Sequence, residues 1–353
     1  MAGHTIGFVG TTAPHSFMFL DTLRLIPETV GRIALVEAEA ERIAKARADA
    51  VYPDVEAMLA AERPDVCFIM RRTDQAEEPA IRCAEAGVPI VIDKHCTHTS
   101  DALRRILAAC GRSGVGFSTC YTWRYSPAAV QIRDWVAQGL LGRLYGFDIR
   151  MVTTSAVMRL GDPQFAWLFD RAKSGGGILI WLACHFLDLV RFILQQEVVA
   201  VAAMTARLTE AASTVEDVAS VSLELEGGAV GSLHSAYVMP GGFATNYHTD
   251  FGIWGDLGDV RWSPIVGGFN PTVRVRSQHP EWAGEPEQTL QYEDELAPQA
   301  YGGTRFVVDF FLDMVERLAA GAAPPVTGQD ALRVLAICEA AYRSAEKGRR
   351  IAL

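Results

Sequence analysis

Hydrophobic and polar positions follow two different rhythms along the chain. Up to about residue 120, strand-like apolar runs (His4 to Val9, Arg32 to Glu37, Val66 to Met70, Pro89 to Ile92 and Val115 to Thr119) are separated by helical stretches rich in Ala, Glu and Arg. These stretches are Ala38 to Arg47, Val55 to Ala61, Glu78 to Ala86 and Asp101 to Arg112. Strands alternating with helices of this length predict a parallel sheet covered on both faces. Ligands of such sheets bind at the carboxyl ends of the strands.

After "YTWRYSPAAVQIRDWVAQGLLGRL" the rhythm changes. One helix, Pro127 to Gln138, leads into segments of alternating character: Leu144 to Thr153, Val198 to Leu208, Val218 to Glu226 and Ala229 to Tyr237. Gly227-Gly228 reads as the hairpin turn between the last two. The pattern predicts a mostly antiparallel sheet with a helix, Ile178 to Leu194, inserted before its middle. Val266 to Pro298 reads as a long irregular excursion, and helices over about Arg305 to Ala320 and Gln329 to Lys347 close the chain. The expected division is residues 1–122 and 123–353, with the closing helices able to return to the first domain.

Composition narrows the function classes. A formal net charge of −10 opposes a nucleic-acid partner, which requires a basic surface. No apolar run reaches the roughly 18 residues of a membrane span. The start of the chain lacks the pattern of a signal peptide, so a cytoplasmic protein is expected. The cysteines at 67, 83, 96, 110, 120, 184 and 338 lack metal-like spacing and read as reduced, buried thiols.

Chemistry gathers at the predicted strand ends. In "IGFVGTTAPHS" a strand meets Gly10 and a helix start, as in a dinucleotide-binding βα turn, but Thr12 and His15 stand where two further glycines are expected. With Thr11 this is either a cofactor loop of unusual chemistry or a plain connection. Glu37 ends the second strand about 20 residues on, where an acid bonds the adenosine ribose and favours NAD over NADP; a solvated charge is the plain alternative. Arg71-Arg72 suit a pyrophosphate or an anionic substrate, or are a solvated pair. Lys94, after a buried strand, could polarise a substrate hydroxyl or be an ordinary surface lysine.

The stretch "YPDVEAMLAAERPDVCFIM...CAEAGVPIVIDKHCTHT" resembles the glucose-fructose oxidoreductase/inositol dehydrogenase/MocA family (Gfo/Idh/MocA). Further matches are "YTWRYSP", "GGGILIWLACHFLDLVRFI", "IWGDLGDVRW" and "PPVTGQDALRVLAICEAAYRSAEKGRRIAL", so the resemblance spans the chain. It implies an α/β protein: an N-terminal Rossmann-like parallel sheet, then an α/β domain with a large open sheet that serves as an oligomer interface, giving a homodimer or homotetramer. It also implies oxidation or reduction of sugars, polyols and related small molecules with NAD or NADP. The family's catalytic lysine falls on Lys94 and its helix histidine on His185.

Departures cluster around the presumed cleft. The family's aspartate four residues before the helix histidine is Trp181, its proline after the lysine is His95, its Thr-Pro-Pro turn is Arg71-Arg72-Thr73, and a histidine expected soon after is Ala76. His185 or His95 could then exchange the proton, or His185 could be a satisfied core residue. Asp188 lies three residues after His185, but two ligands on one helix do not make a metal site, and none is expected. Tyr121, Trp123 and Arg124, with Trp181 and Asp188, suit a sugar-binding surface, although packing explains the aromatics equally well. Two functions follow: an NAD-linked oxidoreductase of a hydroxylated small molecule, or a non-redox ligand-binding or regulatory protein on the same scaffold.

Overall fold

The computed structural model describes residues 3–156, 159–209, 213–241, 247–263, 272–292 and 295–353. The chain divides into two units, one of residues 1–122, 172–175 and 295–335, the other of residues 123–171, 176–294 and 336–353.

In the first unit the strands β1 (His4–Val9), β2 (Val30–Val36), β3 (Ala50–Tyr52), β4 (Val66–Ile69), β5 (Ile90–Ile92) and β6 (Phe117–Thr119) form one sheet in the order β3-β2-β1-β4-β5-β6. Every pairing is parallel. β4 and β5 are apolar at each position and buried on both faces, as a parallel sheet between helices requires. Caps set the helix limits. Asp54 and Thr99 accept backbone N–H bonds at the starts of Val55–Glu62 and Ser100–Ser113. β3, not foreseen from the sequence, is a three-residue edge strand without a buried run. The order of connection reverses between β1 and β4, so the residues after β1, β2, β4 and β5 line the switch point where such folds hold ligands. A late segment completes this core: Phe311, from the helix Arg305–Ala319, packs edge-on against Phe19 at 5.0 Å and stacks with Phe68 at 6.1 Å.

The second unit is built on nine strands: β7 (Leu144–Thr153), β8 (Val198–Ala206), β9 (Val218–Leu225), β10 (Val230–Ala236), β11 (Tyr247–Gly255), β12 (Gly258–Trp262), β13 (Thr272–Ser277), β14 (Glu287–Gln291) and β15 (Ile351–Ala352). Their order is β14-β13-β12-β11-β7-β10-β9-β8-β15, antiparallel except for the parallel pair of β7 and β10. The irregular excursion expected over Val266 to Pro298 is corrected here, because it contains β13 and β14. "TVRVRS" buries Val273, Val275 and Ser277 and exposes the arginines between them, an alternation that the flanking Gly and Pro residues mask. Residues 266–271 and 293–294 of that stretch lie outside the described residues. One sheet face is apolar, through Phe147, Ile149, Leu233, Phe251 and Val260. The other is polar, and on it Arg261 bridges Asp148 and Asp250 at 3.0 and 2.7 Å.

The expectation of no membrane-length apolar run is corrected by the helical stretch Arg171–Leu194, which is apolar and long enough to cross a membrane, although 83% of its most apolar window is buried inside the protein. Its hydrophobicity is that of a core helix.

Candidate functional site

Each unit presents its own cluster. In the first unit, β1 ends at Gly10, whose φ of 80° and missing Cβ both matter. Cδ and Nε of Arg71 lie 2.5 Å from where a Cβ at position 10 would stand, so a side chain there would collide with the arginine. The amides of Thr12 and Ala13 both donate to the Met70 carbonyl at 3.0 Å. These loop N–H groups, which the dinucleotide reading would aim at a phosphate, are directed into the fold.

Glu37, 6% exposed, follows β2. Its Oε2 accepts from the Thr11 hydroxyl at 2.6 Å, and its Oε1 accepts from the amides of Ala38 at 2.9 Å and Glu39 at 3.3 Å. Burial pushes its carboxyl upward, but the Thr11, Ala38 and Glu39 bonds and the Arg71 charge outweigh this and hold it below the usual carboxylate range. Glu37 is therefore an anion at neutral pH. A solvated charge at a helix start, the plain reading of the sequence, is excluded by its burial.

The two arginines after β4 part company. Arg72 chelates Asp74 at 2.9 and 3.1 Å, and its amide donates to the Thr12 hydroxyl at 3.2 Å. Arg71 makes no side-chain hydrogen bond or ion pair among the described residues and lies against Gly10, with its charge felt at Glu37. Such a pair in sequence diverges because consecutive residues past a strand end point to different sides.

His15 does not stand open at the loop. Its Nδ1 donates to Asp93 at 2.9 and 3.0 Å, both side chains are buried, and its ring lies 4.8 Å from that of Tyr301 and 5.9 Å from that of Phe19. The cofactor contact expected of it is corrected to an internal tie between the β1 loop and the end of β5. Lys94 follows Asp93 directly and is buried, so it is no surface lysine.

His95 is buried too. Its Nε2–H donates to the Ser174 carbonyl at 2.8 Å, leaving the lone pair on Nδ1, which has no hydrogen-bond partner among the described residues. Burial, helped by the charge of Lys94, pushes its pKa down to about 4. It is a weak base at neutral pH, which argues against the proton-exchange role the sequence allows it. A histidine whose folded pKa lies below its unfolded value contributes stability that is complete above about pH 6.5 and is lost as pH falls toward about 4. Urea titrations should show wild type losing about 3 kcal/mol more than His95→Gln across that window. A difference under about 1 kcal/mol would mean that the ring is not held neutral.

In the second unit, Glu216 organises the start of the helix that carries the remaining candidates. Its carboxylate accepts from the amides of Gly177 at 2.8 Å and Leu179 at 3.0 Å and from the Tyr342 hydroxyl at 2.9 Å. A Cβ at Gly177 would stand 1.9 Å from the Glu216 carbonyl oxygen, which accounts for a glycine there. The carboxylate satisfies N–H groups that a helix start leaves without intrahelical partners, although burial still pushes its pKa up. Sequence reading missed Glu216. The signal was available in a glycine run that opens a buried helix and requires a nearby acceptor.

The helix begins as a π-turn, Leu179–Ala183, holding Trp181, and continues as α-helix Cys184–Leu194 with His185 and Asp188. Trp181 is buried, its ring 5.9 Å from that of Tyr237 at 70°, with the Arg159 guanidinium over it at 5.0 Å. Trp123 stacks on His185 at 4.7 Å. Arg124 and Asp188, expected at substrate, instead form a bidentate pair at 2.6 and 2.9 Å, with Asp188 1% exposed. Tyr121 is buried as well, and packing is the reading that fits it. Among the described residues no group of three metal-ligating side chains occurs.

Comparison with known proteins agrees with both units. Residues 5–121 match the family model described as an oxidoreductase family with an NAD-binding Rossmann fold, and residues 129–261 match the GFO/IDH/MocA C-terminal domain. A D-apiose dehydrogenase of Paraburkholderia graminis is 26% identical over 98% of this chain and 88% of that protein. One from Rhizobium rhizogenes is 31% identical over 79% and 76%. Among solved structures, a levoglucosan dehydrogenase in complex with NADH and levoglucosan superposes with a TM-score of 0.83 at 19% identity, covering 99% of each chain. At that identity the likeness speaks to the fold.

Proposed function

The chain belongs to the Gfo/Idh/MocA oxidoreductase family, and from that membership we propose that it is an NAD-dependent oxidoreductase acting on a sugar, polyol or related hydroxylated small molecule. The observation that carries the reading is the pairing at the switch point of the first sheet: a buried, charged Glu37 after β2 and a cation, Arg71, over the bare Cα of Gly10 after β1. These residues fit a dinucleotide. An anion suits the hydroxyls of an adenosine ribose and repels a 2′-phosphate, so NAD is favoured over NADP. The relatives named above are dehydrogenases of small carbohydrates, which supports a substrate of that class.

When bound, NAD supplies the acceptor for the hydride that leaves the substrate carbon. The chain's own residues handle the proton. We assign to Nζ of Lys94 the hydrogen bond to the reacting oxygen, which lowers the pKa of a hydroxyl and binds the charge that develops there. Proton exchange is assigned to His185, since His95 is a weak base tied to Ser174. Self-association as a homodimer or homotetramer through the large sheet is part of the same proposal, resting on family membership. Seven free, buried cysteines suit a reducing, cytoplasmic setting, and the acidic balance suits neither nucleic acid nor membrane as a partner.

Isothermal titration with NADH and NADPH tests the reading, with light scattering on the same sample giving the mass. Micromolar NADH binding, at least about tenfold tighter than NADPH and weakened by Glu37→Gln, is expected. Loss of binding to both at millimolar concentration would favour the non-redox alternative, to which the inward-turned Thr12 and Ala13 amides lend weight.

A further inference from the structure

We propose that Arg71 is the phosphate-binding group of this chain, taking over the task that loop amides perform in an ordinary dinucleotide turn; this rests on the NAD reading above. Three observations converge. The amides of Thr12 and Ala13 are bonded to the Met70 carbonyl, so the turn after β1 has lost two of the donors that would meet a diphosphate. The residue after Met70 is Arg71, and its side chain lies back across the same turn, with Cδ and Nε in the space that Gly10 leaves by lacking a Cβ. Its guanidinium has no hydrogen-bonded or ion-paired partner among the described residues, whereas its neighbour Arg72 is neutralised by Asp74.

The geometry has a physical logic. The bond that removes the amides and the side chain that replaces them come from consecutive residues, Met70 and Arg71, at the end of one strand. A planar guanidinium binds phosphate through two parallel N–H···O bonds, a geometry that single amides do not reproduce. Glu37 acts at longer range on the same group, since the Arg71 charge helps to keep that carboxylate ionised. An arriving diphosphate would find a cation lying across Gly10, with the Glu37 charge at longer range. Gly10 is then retained for the space it leaves to Arg71 as much as for its positive φ. The ligand chemistry is that of a diphosphate diester, and recognition depends on charge where an amide cradle would depend on shape.

The test is isothermal titration of NADH into wild type, Arg71→Ala and Arg71→Lys, at about 50 and about 500 mM salt. Arg71→Ala should weaken binding about 10- to 100-fold at low salt, Arg71→Lys should fall between, and the gap should narrow at high salt as ions screen the contact. Binding by Arg71→Ala within about twofold of wild type would overturn the inference and leave the NAD reading standing. An equal loss at both salts, with lysine no better than alanine, would also overturn it, by showing that Arg71 merely shapes the turn. Absence of NADH binding by wild type would remove the NAD reading and the inference with it.

Discussion

Lys94→Met is expected to lower turnover by about a thousandfold while leaving NADH affinity within about threefold of wild type. Methionine keeps the length and apolar stem of lysine and removes only the ammonium, so the buried position after β5 stays filled. In the role proposed for Lys94, what is lost is the donor to the reacting oxygen, an interaction that strengthens as charge develops there and so falls on kcat more than on KM. The measurement is steady-state NADH production with whichever sugar or polyol a substrate screen identifies, alongside titration of the cofactor. Turnover within about tenfold of wild type would remove Lys94 from the chemistry.

Asp188→Asn should destabilise the protein by about 3–5 kcal/mol, because it removes the buried carboxylate that grips the Arg124 guanidinium bidentately. The pair is bidentate and nearly inaccessible, so screening by solvent discounts it little. Double substitution with Arg124→Met should recover much of the loss, since removing both charges from an interior site costs less than removing one. Chemical denaturation of the wild type, the two single variants and the double variant measures this as a cycle. A single-variant cost below about 1 kcal/mol would indicate a pair reached by water, and would reopen the substrate role that the sequence suggests for both residues.

The contrast between these two residues shows what a sequence marks and what it leaves unmarked. Lys94 stands out in the sequence because its position is topological: a buried apolar strand ends and the next residues must lie at the mouth of the sheet. Glu37 and Arg71 stand out the same way. The limits of β1 and β7 were equally legible, since continuous burial and strict alternation mark themselves. Partnerships were not. Arg124 and Asp188 are separated by 64 residues, and His15 and Asp93 by 78, and nothing local marks either pair. Each side chain taken alone carried the chemistry of a binding residue, and only the tertiary fold shows that its charge is already answered. Glu216, 39 residues from Gly177, escaped for the same reason. β13 and β14 were lost to a different cause, turn-forming residues on either side that outweighed a short but regular alternation.

Phe311 makes the order of synthesis matter. The rings it packs against, Phe19 and Phe68, leave the ribosome early, yet Phe311 itself is made only after the entire nine-stranded sheet except β15. Through most of translation, one side of the first core must remain uncovered by its own chain. The protein cannot mature as two modules in succession. Its first-made part is among the last to be finished, and during that interval the apolar surface awaiting Phe311 is exposed to whatever binds nascent chains.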